Sequence, residues 1–448
     1  MVFILAIIPG IFLAFDGMVQ TQPGVVNTTE QGASYIIFQD DLGNTCAKNG
    51  STSRIDFKSA NASAVIQYCV DQYNTNVNMI FIKAGVYDID STITVTRPVS
   101  IIGEGIGSMW GSLGGAFGTL LRGITNGTDL IRFDPVGLVQ TGFNMRDIGL
   151  TGVLPSGSTY TGASTGLNIT IAAGCSFSNM YIYGFEKYGV ELGTTGNAHT
   201  ISFRDCFIAA NGKNSPHYGG VRVVDANCVT IADSRIEWGG SGVIYEQGYD
   251  NTVIGGTIEG NNYYGVTTNL SARYTQHLSI ENVYFEFNNL AEAPGVCDIA
   301  LGEGDAYGYF QNLKMASVKT AYAIYTQAWY TTLMDIRTIT TPKIFFAGEG
   351  RGLISNSFTI DPLCVANLTN VQKIGSHLQK TGYSPMYTNM TYLDVYHGLI
   401  SSPSVILVSG STNDTKSLYA VNHNATVVRV YNYGWVAQDC VIYWQMEV

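Results

Sequence analysis

FSNMYIYGF from Phe177, FRDCFIAAN from Phe203, IADSRIEWG from Ile231, VIGGTIEGN from Val253 and IENVYFEFN from Ile280 are copies of one short apolar phrase. Two looser copies follow, around Phe310–Ala316 and Met334–Thr340. Aligning the second apolar position gives Ile182, Ile208, Ile236, Ile258, Phe285, Met315 and Ile339, in steps of 26, 28, 22, 27, 30 and 24 residues. A period of this size, filled with β-branched and aromatic residues, marks a solenoid. One unit cannot bury its own apolar face, so successive units stack to make a core. Stacked strands lie about 4.8 Å apart, so each column of the repeat becomes a ladder of side chains.

The bulk composition agrees with strands and tight turns. Of 448 residues, 46% are hydrophobic and only 13% charged, with 51 Gly and 28 Tyr. Such a chain has few residues for long solvated helices. A net charge of −11, with no basic run anywhere, excludes a nucleic-acid groove and leaves nucleic acid out as a partner. Eight cysteines are scattered without a CxxC pair, which excludes a zinc module. They leave disulfides and isolated buried thiols both open. Asn-x-Ser/Thr sites at Asn27, Asn49, Asn61, Asn126, Asn168, Asn269, Asn367, Asn389, Asn413 and Asn424 are candidate glycosylation sites in an exported protein.

Residues 1–20 form an apolar N-terminal segment that lacks Lys and Arg and is interrupted by Pro9. It is short for a membrane span of about 20 residues and has no basic n-region. An export signal, a retained anchor and a strand buried in an assembly all stay open for it. Residues 21–54 read as an irregular lead-in, 55–361 as the solenoid, 362–384 as a connector and 385–448 as a C-terminal antiparallel β-sandwich. Ser59–Tyr73 is the best helix, capped by Asn61 or Ser63, with Val65, Ile66, Cys69, Val70 and Tyr73 on one face. Strands then follow at Met79–Ile89, Thr92–Val95 and Val99–Gly105. Gly103, Gly105 and Gly107 are turn glycines, because no helix follows to make a phosphate loop.

A short amphipathic helix, then IFIKAGVYDID, then ITVTRPVSIIGEG, resembles the opening of the pectate-lyase-like parallel β-helix superfamily. That superfamily includes polysaccharide lyases, hydrolases and many viral tailspikes. The resemblance covers roughly Ser59 to Asp361. It implies an all-β chain: a right-handed single-stranded parallel β-helix with an N-terminal helical cap. The phrase DVYHGLISSPSVILVSG, closing on VIYWQMEV, resembles terminal modules of some viral fibre proteins. Together these imply a homotrimeric viral surface spike at the virion surface or outside the cell. It would bind a host surface polysaccharide or glycoprotein and meet other virion proteins through its N-terminal segment. The low charge and the Tyr, Asn and Thr content suit a virus of a thermophilic archaeon. A secreted or cell-surface polysaccharide lyase or glycoside hydrolase is the alternative, and a purely structural virion component a third.

Three columns carry the chemical candidates. The position after the apolar marker reads Tyr183, Ala209, Glu237, Glu259, Glu286, Ala316, and strand alternation turns it outward. Carboxylates on consecutive coils cannot all ionise freely, so at least one pKa should rise. An acid beside an ionised carboxylate is what glycosidic cleavage needs, which makes Glu237, Glu259 and Glu286 the candidate catalytic residues. Arg235 could neutralise them or bind an acidic sugar. Trp238, Tyr245, Tyr263, Tyr264 and Phe287 are candidate sugar platforms, and His217 a loop residue that could line the same groove. Against this, outward Glu beside Arg235 is also ordinary surface decoration, and such aromatics are often core. A second column, Asn179, Asp205, Asp233, Gly255, Asn282, offers a Ca²⁺ site through Asp205, Asp233 and Asn282, interrupted by Gly255. The third column, Phe185, Asn211, Gly239, Asn261, Asn288, should hold the left-handed turn that leaves each strand. The Asn-Thr-Asp, Asp-Asp, Gly-His-Gly and Arg-Ile-Lys signatures of polygalacturonases of this fold are absent, as is any Ser-His-Asp order.

Overall fold

The computed structural model describes residues 32–338 except 73–77, 107–117, 136–141, 153–161, 269–274, 304, 306 and 321, and beyond them a series of strands between 343 and 447. Three parallel stacks make the solenoid. One is a ten-stranded sheet running from Ile93–Val95 through Tyr188–Leu192, Gly219–Val223 and Ser241–Tyr245 to Lys343–Phe346. The second stacks long strands such as Ala198–Arg204, Ala226–Ala232, Gly248–Ile254 and Thr275–Glu281. The third stacks the short strands Phe207–Ala209, Arg235–Glu237, Thr257–Glu259 and Tyr284–Glu286. Each coil passes once through all three, which is the parallel β-helix.

The apolar marker of the repeat is the inward row of the short strands. Ile182, Ile208, Ile236, Ile258, Phe285 and Met315 pair in unbroken register, and all are buried. At the next copy the expected register slips by one, because Met315 pairs with Thr338 and not with Ile339. Along the inner side of the long-strand stack, Phe143, Phe177 and Phe203 form a ring ladder, with Phe177 stacked on Phe203 at 4.8 Å. Burying one such phenyl contributes about 1.5–3 kcal/mol. The stack is therefore a main source of cohesion between coils.

Left-handed residues bend every coil. Between long and short strand sit Asn179, Asp205, Asp233, Gly255 and Asn282, with φ of 48°, 53°, 49°, 70° and 58°. This column, read from sequence as a Ca²⁺ candidate, is thus the bend itself. Its side chains are spent on neighbours: Asn179 donates to Asp147 at 2.7 Å, and Asp233 accepts from Arg204 at 3.1 Å. Among the described residues no group of three or more His, Cys, Asp or Glu side chains converges as a cation site would require.

The exit from each short strand corrects a second expectation by one residue. The left-handed positions are Gly184, Ala210, Trp238, Gly260 and Phe287, with φ of 76°, 57°, 55°, 63° and 51°. The Asn column beside them points inward. Asn211, Asn261 and Asn288 are fully buried. Asn211 Oδ1 accepts from Phe185 N at 3.0 Å and Asn261 Oδ1 from Gly239 N at 3.0 Å, while Asn261 Nδ2 donates to Asn288 Oδ1 at 2.9 Å. The amides satisfy backbone groups that the turn leaves unpaired.

The N-terminal end is capped by helix α1, Ala62–Asp71, shorter at both ends than expected. Asn61 is its N-cap, accepting from Ala64 N at 3.0 Å, while Ser63 accepts from Asp90 N instead. Its apolar face, Val65, Ile66, Cys69 and Val70, closes the core. The stretch expected to be irregular up to residue 54 contains strands. Tyr35–Gln39, Thr45–Asn49 and Ile55–Ser59 pair antiparallel, and Tyr35–Ile37 continues the long-strand stack on Ile80–Ile82. At the other end the stack runs past residue 361, with Gly352–Ser355 paired to Val371–Ile374. Beyond it lie two three-stranded antiparallel sheets. One holds Gln379–Met386, Cys440–Glu447 and Val405–Gly410, the other Tyr392–Tyr396, Val427–Asn432 and Leu418–Asn424.

Candidate functional site

The outer face of the short strands brings two columns together. The one after the marker carries Glu237, Glu259 and Glu286 in direct register on three consecutive coils. The one before it carries Tyr181, Phe207, Arg235, Thr257, Tyr284, Lys314 and Arg337. Sequence reasoning used the first column and took only Arg235 from the second. Reading the residue before the marker as well as the one after it would have found the rest.

The three glutamates are not equivalent. Glu237 was expected to face solvent, yet its side chain is 0% exposed. Arg235 Nη2 lies 2.8 Å from Glu237 Oε1 and 3.4 Å from Glu259 Oε1. Neither carboxyl oxygen of Glu237 has a well-aligned hydrogen bond among the described residues. Burial pushes its carboxyl up to about 7; a hydrogen bond and charge repulsion from Glu259 add to the rise, and Arg235 opposes it. Glu237 is therefore a buried proton holder beneath the surface. Glu259 is 23% exposed and Glu286 half-buried, so these two are the carboxylates a ligand can reach. They stand on adjacent coils, about 4.8 Å apart along the stack.

Aromatic side chains wall this pair. Trp238 is 37% and Phe287 50% exposed, although both hold left-handed backbone, which is costly for bulky residues. Gly260 lies between them in the same column. A Cβ on Gly260 would stand 2.5 Å from Trp238 Cδ1, so the indole rests over that glycine. Phe207 meets Trp238 edge-on at 6.4 Å, stacks on Tyr181 at 5.3 Å and carries Arg235 over its ring at 5.5 Å. On the far side Lys314 Nζ sits 4.8 Å from the Tyr284 ring centre. The face thus offers flat apolar rings, two reachable carboxylates and cations at both ends.

The remaining expected site residues fall out differently. Tyr245 is fully buried at the end of Ser241–Tyr245, pointing into the core, so it cannot stack on a sugar. Tyr263 and Tyr264 are half-buried where the chain leaves the carboxylate coil. His217 is exposed on the loop after the short strand, and that loop is tied to the coil after next by Asn262 Nδ2 donating to Lys213 O at 2.7 Å. No described contact joins His217 to the carboxylates. Among the sequons, Asn126 is exposed in a turn. Asn168 is only 7% exposed and its Nδ2 donates to Asp129 at 2.9 Å, so the folded chain offers no room for a glycan there. The amides of Asn49 and Asn61 are held by Asp56 at 2.8 Å and Asp90 at 2.7 Å. Asn27, Asn269, Asn367, Asn389 and Asn413 lie outside the described residues, and of Asn424 only its place in a strand is described. Residues 1–20 also lie outside them.

A second carboxylate cluster lies on the ten-stranded sheet, unnoticed in the sequence. Arg222 bridges Glu191 at 2.6 Å and Glu246 at 2.5 Å, with its guanidinium 5.0 Å from the Tyr188 ring centre. Both acids are engaged by one arginine, which makes this a closed structural network. Six cysteines, Cys46, Cys69, Cys175, Cys206, Cys228 and Cys297, are free, and all but Cys228 are buried. No helix among the described residues is long and apolar enough to cross a membrane.

The family described as a right-handed β-helix region matches residues 165–304, the coils that carry the glutamates. A search of curated protein sequences finds no match. Among solved structures, the chain is similar to a point mutant of DFA-IIIase from Arthrobacter chlorophenolicus A6 in complex with DFA-III. That likeness has 11% identity and a TM-score of 0.52, and covers 70% of this chain and 83% of the other. It is also similar to the enzymatically active domain of bacteriophage CBA120 tailspike protein 2, at 12% identity, with 80% and 60% covered and a TM-score of 0.49. The tailspike protein gp49 of Pseudomonas phage LKA1 aligns at 12% identity over 86% and 92% of the two chains, with a TM-score of 0.42. At these identities the likeness is one of architecture. The stacked coils and the matched region together make this chain a right-handed parallel β-helix.

Proposed function

We propose that this chain is a surface-displayed or extracellular glycan-binding protein that holds an extended polysaccharide along the outer face of its short strands. The observation that carries this reading is the pair of exposed rings, Trp238 and Phe287, kept in left-handed backbone in the column next to Glu259 and Glu286. Flat rings stack on the apolar faces of sugars, and carboxylates accept from their hydroxyls. The same groove has the parts for glycosidic cleavage. Adjacent-coil carboxyls near 5–5.5 Å fit retention of configuration, with one acting as nucleophile and the other as acid and base. Glu237 positions the pair from below by holding a proton against Glu259 and sharing Arg235 with it.

The setting we infer is a homotrimeric host-attachment spike on a virion, in which the groove engages the host surface polymer. The test is binding of purified protein to host cells and its competition with infection. Trp238→Ala is expected to lose roughly five- to tenfold in affinity, since one good aromatic contact is worth roughly 1–1.5 kcal/mol. Wild-type protein that neither binds host cells nor competes with infection ends the spike reading. A monomer in light scattering removes the trimer.

A further inference from the structure

A second, separate cluster lies on the outer face of the long strands. Asp250, His277, Tyr307 and Tyr330 occupy one column on four successive coils, beside Thr252, Ser279 and Tyr309 in the next. All of these but Tyr330 line a depression of about 240 Å³ with Asn251 and Leu278 as its floor. Asn251 is fully buried and locked, accepting from Val229 N at 3.0 Å and donating to Ala226 O at 3.2 Å. The floor is therefore rigid.

The walls are polar and aromatic at once. His277 Nδ1 is 2.9 Å from Asp250 Oδ1, which orients the imidazole and leaves Nε2 as its other hydrogen-bonding atom. The imidazole lies against Tyr307, with ring centres 4.8 Å apart. Tyr307 is 50% exposed, and neither its hydroxyl nor that of Thr252 has a hydrogen-bond partner among the described residues. Asp250 and His277 hold left-handed backbone, with φ of 53° and 56°, as do Gly174, Thr200 and Cys228 on the preceding coils, so this bend is the regular geometry of the row.

The geometry points to a second carbohydrate subsite on the long-strand face, taking one neutral hexose or N-acetylhexosamine unit. The depression is smaller than the about 300–1,000 Å³ of drug-sized pockets, so it suits a single ring and not an oligomer. Tyr307 supplies the stacking face, while Asp250, His277, Thr252 and the Tyr307 hydroxyl meet the sugar's hydroxyls. Asp250 at the mouth selects against uronic acids. Only the choice of sugars as probes rests on the glycan-binding reading above; the cluster lies on a different face from the glutamates.

Saturation-transfer NMR against glucose, galactose, N-acetylglucosamine and their disaccharides tests this on wild-type protein, Tyr307→Ala, Asp250→Asn and Trp238→Ala. The expected result is a neutral sugar whose binding weakens about tenfold or more in Tyr307→Ala and Asp250→Asn but persists in Trp238→Ala. Loss only in Trp238→Ala overturns this subsite and leaves the short-strand groove standing. Loss only in the long-strand variants is the result that upholds the subsite; the short-strand groove, proposed for an extended polymer, has its own test on polysaccharide. No sugar bound by the wild type, or a change in oligomeric state in Tyr307→Ala with sugar binding intact, overturns it in favour of an empty surface or a contact between copies.

Discussion

Glu237 is a buried carboxyl whose pKa is raised from 4.5 to about 7, so replacing it with the neutral isostere Gln should change how stability depends on pH. Between those values the folded protein binds a proton that the unfolded chain has released. Stability therefore falls as pH rises through this window and levels off above it. A difference of about 2.5 pH units corresponds to about 3.4 kcal/mol at full burial, and to roughly half that once screening through the partly exposed Arg235 is allowed for. With about 2.1 cal/mol/K per residue over roughly 300 residues of solenoid, about 1.7–3.4 kcal/mol becomes roughly 3–5 °C in Tm. Glu237→Gln should thus melt about 3–5 °C higher than wild type at pH 8, and close to it at pH 4.5. Asp298, also raised to about 7 by burial against hydrogen bonds from Ser317 and Asn288, titrates in the same direction in both proteins. Asp305 and Glu191, raised by burial too, cancel in the same way. Calorimetry of the two proteins from pH 4.5 to 8 provides the assay. A Tm difference that stays constant with pH, or one in which wild type gains on the variant as pH rises, refutes the reasoning.

Three further outcomes follow from the packing. Asn288→Ala removes the acceptor of Asn261 Nδ2 and the donors to Ile258 O and Asp298, so it should cost about 2–4 kcal/mol in urea unfolding; a loss under 1 kcal/mol would show that the ladder is dispensable. Gly260→Ala drives a methyl into the Trp238 ring at a φ of 63°, and should weaken glycan binding in a titration about as much as Trp238→Ala while the circular dichroism stays unchanged. Tyr245→Phe deletes a buried hydroxyl with no hydrogen-bond partner among the described residues, and should leave Tm unchanged or raise stability by up to about 1 kcal/mol, where a surface sugar platform would instead lose binding.

Much of the solenoid could be read in the chain because its columns repeat a chemical type. Ile182, Ile208, Ile236 and Ile258 announce an inward row, and the register of Glu237, Glu259 and Glu286 follows from it directly. The reading failed where one residue of phase matters. Left-handed backbone falls on Ala210, Trp238 and Phe287 and not on the adjacent Asn, because the buried Asn amides are needed to satisfy the turn's backbone. Pattern alone assigned the tolerant residue to the tolerant conformation. The last register slipped at Met315, where the next coil supplies Thr338 and so no apolar match guides alignment. Burial of Glu237 was also illegible, since alternation says outward but not how much a neighbouring Arg and the adjoining rings cover. The strands at 35–59 escaped notice because they pair antiparallel with one another, ahead of the repeat and in a polar stretch, and only Tyr35–Ile37 joins the parallel stack.

The most direct test of the central claim is oligosaccharide release from purified host surface polysaccharide by wild-type protein, Glu259→Gln and Glu286→Gln. The groove account predicts release by the wild type with retained anomeric configuration. It predicts a fall of at least about 10²–10⁴ in rate for either variant, the usual contribution of a positioned acid or base, with polymer binding preserved. Wild-type protein that binds the polymer but releases nothing would leave Glu259 and Glu286 as binding residues only. Release that survives both substitutions would contradict the assignment of the short-strand face as the site of cleavage.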